Sequence, residues 1–493
     1  VNDGEVARLD PGIEGLQVIA HGGLPRDRLT LVAGTSGSGK TIFAAQFLAA
    51  GAKAGEPGVF VTFEERPARI VEDVRSFGWD LAAWQEESLW CFVDASMNFG
   101  DDVSYTGSFD LAPLVARVKH AVKESGAKRV ALDSIGALIN QFQDRGPARR
   151  ALFEVAASLA ETGVTTVMTA ERSDDYGPVA QYGFEEFVAD GVILLRNSLA
   201  GEKRRRTIEV LKIRGGSHDR GEHLFTIKRD EGIVVVPNAE IRFDHESSTT
   251  RVTSGNEVLD EMLHGGLLAG SLVLVSGPTG SGKSLLATQF VAGGTSEDRV
   301  LYHSFEESQQ QITRNAHEWG IDFEEMADHG RLLILADPPE AMPLEDHLHR
   351  IKATVDTFNP TRVAIDSLTA LERISTVASF RAYVLGLAFY LKRRGITGFL
   401  TAAAADGGSP LTLTDLHVST ITDTILVLQY VAVESRLSRG INVLKMRGSD
   451  HDKALREYRI TDQGLRIGNA FESLDGAWVG PSARSGNLPG KSA

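Results

Sequence analysis

The chain is poor in cysteine: Cys91 is the only one among 493 residues, so no disulfide can close within it. That usage suits a reducing compartment. Cys91 lies in the apolar run Leu89–Val93, where a buried structural thiol is expected rather than a nucleophile. No apolar run approaches the ~20 residues a membrane-spanning helix needs. The opening VNDGEVARLD has no signal-peptide pattern, and a soluble, cytoplasmic protein is expected. Positive charge is also in deficit, with 51 Lys and Arg against 66 Asp and Glu, a formal net charge of −15. This balance, with only 7% aromatic residues, argues against a broad footprint for nucleic acid or anionic membrane. The basic run Lys203, Arg204, Arg205, Arg206 reads as a solvated turn. The thirteen histidines show no metal-ligand spacing along the chain. His349 reads as a solvated helix residue.

What the chain has is a long internal repeat. LPRDRLTLVAGTSGSGKTIFAAQFLAAG, from Leu24, aligns with LLAGSLVLVSGPTGSGKSLLATQFVAGG, from Leu267. Further on, Glu64 stands opposite Glu306, Asp133 opposite Asp366, and Lys212 opposite Lys445. The order is kept, and the offset shifts only from 243 to 233 residues. So long a period marks a duplicated domain rather than a solenoid. The boundary is expected near Pro237–Gly255, giving domains 1–240 and 241–472. The Gly-, Pro- and Ser-rich residues 473–493 read as a flexible tail. Short apolar runs such as Leu29–Ala33, Gly58–Thr62 and Arg129–Leu132 alternate with helical stretches. That alternation predicts an α/β fold with a mainly parallel sheet in each half.

Gly34-Thr35-Ser36-Gly37-Ser38-Gly39-Lys40-Thr41 and Gly277-Pro278-Thr279-Gly280-Ser281-Gly282-Lys283-Ser284 both fit the phosphate-binding P-loop. Each follows an apolar strand and opens a helix, the context the motif needs. Glycines let successive N–H groups converge on one phosphate. Lys40 and Lys283 are expected at the β- and γ-phosphates, and Thr41 and Ser284 on Mg²⁺. Asp133 and Asp366 end apolar strands in the Walker B arrangement, where a carboxylate holds the same ion. Glu64-Glu65 and Glu306-Glu307 follow further strands. They read either as acidic turns or as pairs in which one carboxylate deprotonates a nucleophile. Lys212-Ile213-Arg214 and Lys445-Met446-Arg447 read either as ordinary basic strands or as cation pairs offered to a neighbour's γ-phosphate. His218 and His451, just after these segments, read either as solvated loop residues or as groups that approach nucleotide.

Taken in order, these motifs resemble the KaiC family of circadian clock ATPases, double-domain members of the RecA-like superfamily. The most specific stretches are TAERSDDYGPVAQYGFEEFVADGVILLRN, ITRNAHEWGIDFEEM, and TDLHVSTITDTILVLQY with INVLKMRGSDHDKALREY. The resemblance spans about Leu16 to Ser473. It implies two tandem RecA-like P-loop domains and a two-tiered homo-hexamer with ATP between subunits. It implies slow ATP hydrolysis in the first ring, with Glu64 and Glu65 as the matching glutamates. It implies Ser/Thr autokinase and autophosphatase activity in the second. There Glu306, with Glu307 beside it, matches the residue that activates the acceptor hydroxyl. Ser419 and Thr420 match the phosphoacceptors, and Thr414 an upstream third position. Lys212 with Arg214, and Lys445 with Arg447, match nucleotide contacts across the subunit interface. A KaiB-like partner is implied for the first ring. The tail does not match the longer segment that receives KaiA in the family, so KaiA binding is not expected.

Anchoring the halves on Asp190 and Asp423 sets Ser419 opposite Glu186 and Thr420 opposite Phe187. A phosphorylated Ser419 would then give the second half an acidic group that the first carries permanently. The same motifs admit two other readings: a RecA-like DNA motor or recombinase, and a KaiC-like stress-signalling ATPase without rhythm.

Overall fold

The computed structural model describes residues 6–96, 112–140, 142, 144–200, 203–237, 248–404, 421–433 and 436–471. The chain divides into two compact units, Val1–Ala239 and Glu240–Ala493. The tail 473–493 lies outside the described residues.

In the first unit a short ribbon, β1 (Arg8–Leu9) with β2 (Leu24–Pro25), precedes a nine-stranded sheet. Its strands are β3 (Leu29–Gly34), β4 (Gly58–Thr62), β5 (Trp90–Asp94), β6 (Arg129–Asp133), β7 (Thr165–Glu171), β8 (Gly191–Ala200), β9 (Lys203–Ile213), β10 (Glu222–Lys228) and β11 (Gly232–Val236). The order is β11-β10-β9-β8-β3-β7-β6-β4-β5. From β8 to β5 the strands are parallel, and β9 to β11 extend the sheet antiparallel.

The second unit repeats this strand for strand. The ribbon is β12 (Arg251–Val252) with β13 (Leu267–Leu268). Its sheet contains β14 (Leu272–Gly277), β15 (Val300–Ser304), β16 (Leu332–Ala336), β17 (Arg362–Asp366), β18 (Thr397–Ala403), β19 (Thr424–Val433), β20 (Arg436–Met446), β21 (Arg456–Thr461) and β22 (Gly464–Ala470). The order β22-β21-β20-β19-β14-β18-β17-β15-β16 matches the first unit position for position.

Parallel strands are covered on both faces, so they read as continuous apolar runs rather than alternating ones. Every residue of β3, β4, β6 and of β14, β15, β17 is buried. On one face of the first sheet Val32, Phe60, Ala131 and Val167 pack with Phe43 and Phe47 of the helix Lys40–Lys53. On the other, Leu31, Val59, Val61 and Leu132 pack with Val118 and Val122 of the helix Ala112–Ser125 and with Leu152 and Val155 of the helix Arg145–Ala160. Each fully buried Phe contributes roughly 1.5–3 kcal/mol. The helix Lys40–Lys53 is also tied down by Gln46. Its Oε1 accepts from Ile233 N at 2.7 Å, and its Nε2 donates to Gly12 O at 3.1 Å. Gln289 does the same in the second unit, accepting from Leu465 N at 3.3 Å.

Two local readings change. The run Lys203–Arg206 is not a turn: it opens β9, paired with the end of β8, and Arg204 donates to Asn197 O at 2.7 Å. A hairpin as long as β8–β9 holds these arginines, exposed at Arg204 and part-buried at Arg205 and Arg206, in regular strand backbone. Cys91 is half-buried, because β5 is the edge of its sheet, and burial pushes its thiol pKa up.

Candidate active sites

Each phosphate-binding loop begins where a central strand stops. Gly34 ends β3, and the helix Lys40–Lys53 starts six residues later; Gly277 and the helix Lys283–Ala292 repeat this. Gly39 and Gly282, just before the helices, have φ of 98° and 93°, a region open to glycine and costly for other residues. A Cβ on Gly34 would fall 2.3 Å from Ser38 Oγ, and one on Gly277 2.7 Å from Leu428 O.

Within the loops Lys40 Nζ donates to Thr35 O at 3.1 Å. Lys283 Nζ donates to Gly277 O and Pro278 O, both at 2.9 Å. Burial lowers the pKa of both lysines, against the opposing pull of nearby carboxylates. The hydroxyls of Ser38 and Ser281 are buried with no partner among the described residues. Buried orphan hydroxyls at a helix N-terminus suit an anion.

Different side chains brace the two loops, none of them singled out by the motif. Asp175 Oδ1 accepts from Thr35 Oγ1 at 2.7 Å and from Asn197 N at 3.2 Å. In the second unit Tyr430 donates to Thr279 O at 3.4 Å and Tyr458 to Ser281 O at 2.5 Å.

The Walker B carboxylates lie beside these loops at the ends of β6 and β17. The peptide bonds Asp133–Ser134 and Asp366–Ser367 are both cis. Asp133 accepts from Thr169 Oγ1 at 2.5 Å, and Asp366 from Thr401 Oγ1. Burial pushes the Asp133 carboxyl pKa up, and hydrogen bonds from Thr169 and Thr41 pull it back. A buried carboxylate flanked by a loop hydroxyl and an ammonium fits a divalent cation with phosphate oxygens.

The acidic pairs enter from β4 and β15, next to those strands. Phe63 N donates to Asp133 O at 2.9 Å and Phe305 N to Asp366 O at 2.8 Å, so each pair is clamped to its Walker B strand. Glu64 accepts from Ser134 Oγ at 3.2 Å. Burial and then Glu171 raise its carboxyl pKa, while Lys40 lowers it. Glu65 is raised by burial and by Asp73. Glu306 N and Glu307 N donate to Ser304 Oγ at 3.3 and 3.0 Å. Glu307, held by Asn315 at 3.4 Å, is raised by burial and Asp366, and Glu306 acts on Lys283. Glu171, which ends β7 opposite Gly34, is a further carboxylate that sequence reasoning missed; Ala403 takes its place opposite Gly277.

The Lys-x-Arg segments lie elsewhere. Lys212 pairs with Val192, which pairs with Leu31, whereas the loop leaves β3 at Gly34, opposite Leu195. Lys212 therefore sits toward the opposite end of the parallel strands from its own unit's cradle. Its Nζ donates to Glu186 O at 2.9 Å, and Arg214 donates to Phe187 O at 3.3 Å and faces Asp190 at 3.9 Å. Lys445 donates to Thr422 O at 2.8 Å, and Arg447 N to Asp423 O at 2.8 Å. Ile213 and Met446 between the cations are buried. Thr414, Ser419 and Thr420 lie outside the described residues.

Comparison with known proteins agrees with this duplicated nucleotide-type site. A family model described as "ATPase: KaiC" matches residues 9–240 and again 252–472. "Circadian clock protein KaiC3" of Synechocystis sp. is 48% identical over 96% of this chain and 94% of its own length. "Circadian clock oscillator protein KaiC" of Synechococcus elongatus is 47% identical over 95% of this chain and 91% of its own. The protein of that name from Thermostichus vulcanus is 46% identical, over 97% and 92%. With two matched repeats, each built on a loop, a buried aspartate and an acidic pair, the chain belongs to the KaiC ATPase family.

Proposed function

We propose that the protein is a clock or timer ATPase that hydrolyses ATP in its first unit and phosphorylates itself in its second. The observation that carries this is the acidic pair locked to the Walker B strand beside an intact P-loop, present twice. The clock role is supported by the names of the relatives, which match nearly the whole chain.

The loops Gly34–Thr41 and Gly277–Ser284 bind the triphosphate through backbone N–H groups and helix N-termini. Lys40 and Lys283 leave their carbonyl partners for phosphate oxygens. Thr41 with Asp133, and Ser284 with Asp366, hold Mg²⁺. When bound, the ion would supply positive charge against the phosphates. In the first unit Glu64, oriented by Ser134, takes a proton from the attacking water, with Glu65 behind it. Its raised proton affinity brings it closer to the working range of a base. In the second, Glu306, with Glu307 beside it, takes the proton from a hydroxyl of Ser419 or Thr420, with Thr414 as a third acceptor. Mapping phosphate by mass spectrometry after incubation with Mg-ATP tests this. Phosphate on Ser419 or Thr420, lost in Glu306→Gln, is expected; a chain that stays unmodified with Glu306 intact refutes the kinase half.

The two domains, 1–240 and 241–472, act as rings of a homo-hexamer. Lys212 with Arg214, and Lys445 with Arg447, reach a neighbouring subunit's nucleotide. Their position away from their own cradle supports that assignment. A KaiB-like protein docks on the first ring. The protein works in the cytoplasm.

A further inference from the structure

Three buried groups in the second unit play no part in the nucleotide chemistry. His303 is on β15, Asp337 directly follows β16, and His347 is on the helix Leu344–Phe358. Each offers a ligand atom, and these atoms lie within 4.8 Å of one another. Both histidines are 0% exposed, and Asp337 is 7%. His303 Nε2 meets Asp337 Oδ2 at 3.1 Å, and His347 Nε2 meets Pro339 O at 3.2 Å. The Nδ1 atoms of both rings are buried without a partner among the described residues. Two fully buried imidazoles with spare nitrogens around one carboxylate make a poor packing solution and a good ligand set.

The first unit is an internal comparison. Val61 holds the position of His303, one residue before the end of β4. Ala95 holds that of Asp337: Ala95 N donates to Thr62 O at 2.8 Å, as Asp337 N does to Ser304 O at 3.0 Å. The same fold therefore packs well with apolar groups there. The polar cluster is an addition confined to the second unit, and the topology alone does not require it.

We propose that His303, Asp337 and His347 form a binding site for a borderline divalent transition metal of the zinc class. Two imidazole nitrogens and one carboxylate oxygen suit Zn²⁺, Co²⁺ or Fe²⁺ and disfavour Mg²⁺, which prefers oxygen and water. Ligand atoms about 2.1 Å from zinc stand roughly 3.4 Å apart, so closure needs side-chain shifts on the order of 1 Å. Burial keeps both imidazoles in the neutral form that binds metal, and the His303 contact holds the Asp337 carboxyl below its usual range. Without metal the positive partner of Asp337 is Arg350, whose Nε lies 3.2 Å from the same Oδ2. Its side chain is 46% exposed, and it withdraws to solvent when the metal arrives. The site lies directly behind the second acidic pair. Phe305, the residue before Glu306, packs its ring 4.3 Å from His303 and 5.2 Å from His347. Metal occupancy therefore fixes the segment that presents Glu306 and Glu307.

The test uses the full chain, stripped by chelator and kept in excess Mg-ATP so that the nucleotide sites are filled. Zinc uptake is measured by equilibrium dialysis with metal analysis, and geometry by the absorption of Co²⁺ in its place. About one Zn²⁺ per chain is expected, resistant to excess Mg²⁺. His347→Gln weakens it by at least about 100-fold, beyond the range typical of groups that only orient ligands. His303→Val, which installs the first unit's residue, abolishes it. Absence of zinc uptake, or equal uptake in His347→Gln, overturns the assignment. Should either histidine variant misfold, Arg350→Ala at a half-exposed position decides. It removes the competing cation, so several-fold tighter zinc binding supports the site, and unchanged or weaker binding overturns it.

Discussion

The buried hydroxyl of Tyr302 donates to Asp366 Oδ2 at 3.2 Å, whereas Phe60, its counterpart on β4, offers Asp133 nothing. The second unit's Walker B carboxylate thus has a donor that the first lacks. A hydrogen bond to a charged group is worth about 1.5–3 kcal/mol. Tyr302→Phe should destabilise the second unit by that order in denaturant unfolding. It should also alter the Mg²⁺ dependence of self-phosphorylation while first-unit hydrolysis stays unchanged. Equal Mg²⁺ dependence in variant and parent would leave the hydroxyl with a packing role only.

Hydrolysis in the first unit should depend on Glu64 more than on Glu65. Ser134 orients the Glu64 carboxylate and Lys40 acts on it, whereas Glu65 has neither partner and, after burial, is influenced by Asp73 ahead of Asp133. In a Lys283→Ala background that silences the second site, Glu64→Gln should cut steady-state phosphate release by roughly 10²–10⁴-fold. Glu65→Gln should cut it less. The reverse ranking would reassign the base.

Arg129 illustrates a structural cation. Its side chain is 6% exposed, pairs with Glu56 at 3.0 Å, donates to Phe47 O at 3.0 Å, and lies 5.2 Å over the Phe47 ring. Arg362 repeats this over Phe290 at 5.2 Å. Removing one partner of a buried pair costs about 3–5 kcal/mol. Glu56 is one-third exposed and regains water, so Arg129→Leu should cost about 3 kcal/mol, at the lower end. Chemical denaturation followed by tryptophan fluorescence would measure it, since Trp79, Trp84 and Trp90, three of the five tryptophans, lie in the first unit.

His223 on β10 is 2% exposed, and burial lowers its pKa against the pull of Asp219 and Glu209. The folded state therefore prefers the neutral ring. Its stability contribution is complete above the unfolded value of about 6.5 and is lost as pH falls through the lower folded value. The first unit's melting temperature should fall more steeply between pH 7 and 5 in the parent chain than in His223→Gln. Parallel slopes would show that other groups carry the acid response.

Much of the site was legible because it is contiguous: each P-loop is eight residues, and the acidic pairs directly follow apolar runs. The α/β class was legible because buried parallel strands leave unbroken apolar runs. Groups that meet only through the sheet order were not. Glu171 reaches Gly34 through β7–β3 pairing, and Asp175 reaches Thr35 through a loop. Tyr302 finds Asp366 because β15 and β17 are neighbours despite their separation along the chain. His303, Asp337 and His347 come from three segments whose spacing follows no ligand rule. The Lys203–Arg206 run was misread because charge alone does not distinguish a turn from a long hairpin.

The strand-for-strand match between the halves gives this chain a built-in reference state. Where Phe60 corresponds to Tyr302, Val61 to His303 or Glu171 to Ala403, one half records what the shared scaffold tolerates and the other what was added. Swapping such pairs singly, in either direction, would separate inherited architecture from acquired chemistry without recourse to any second protein.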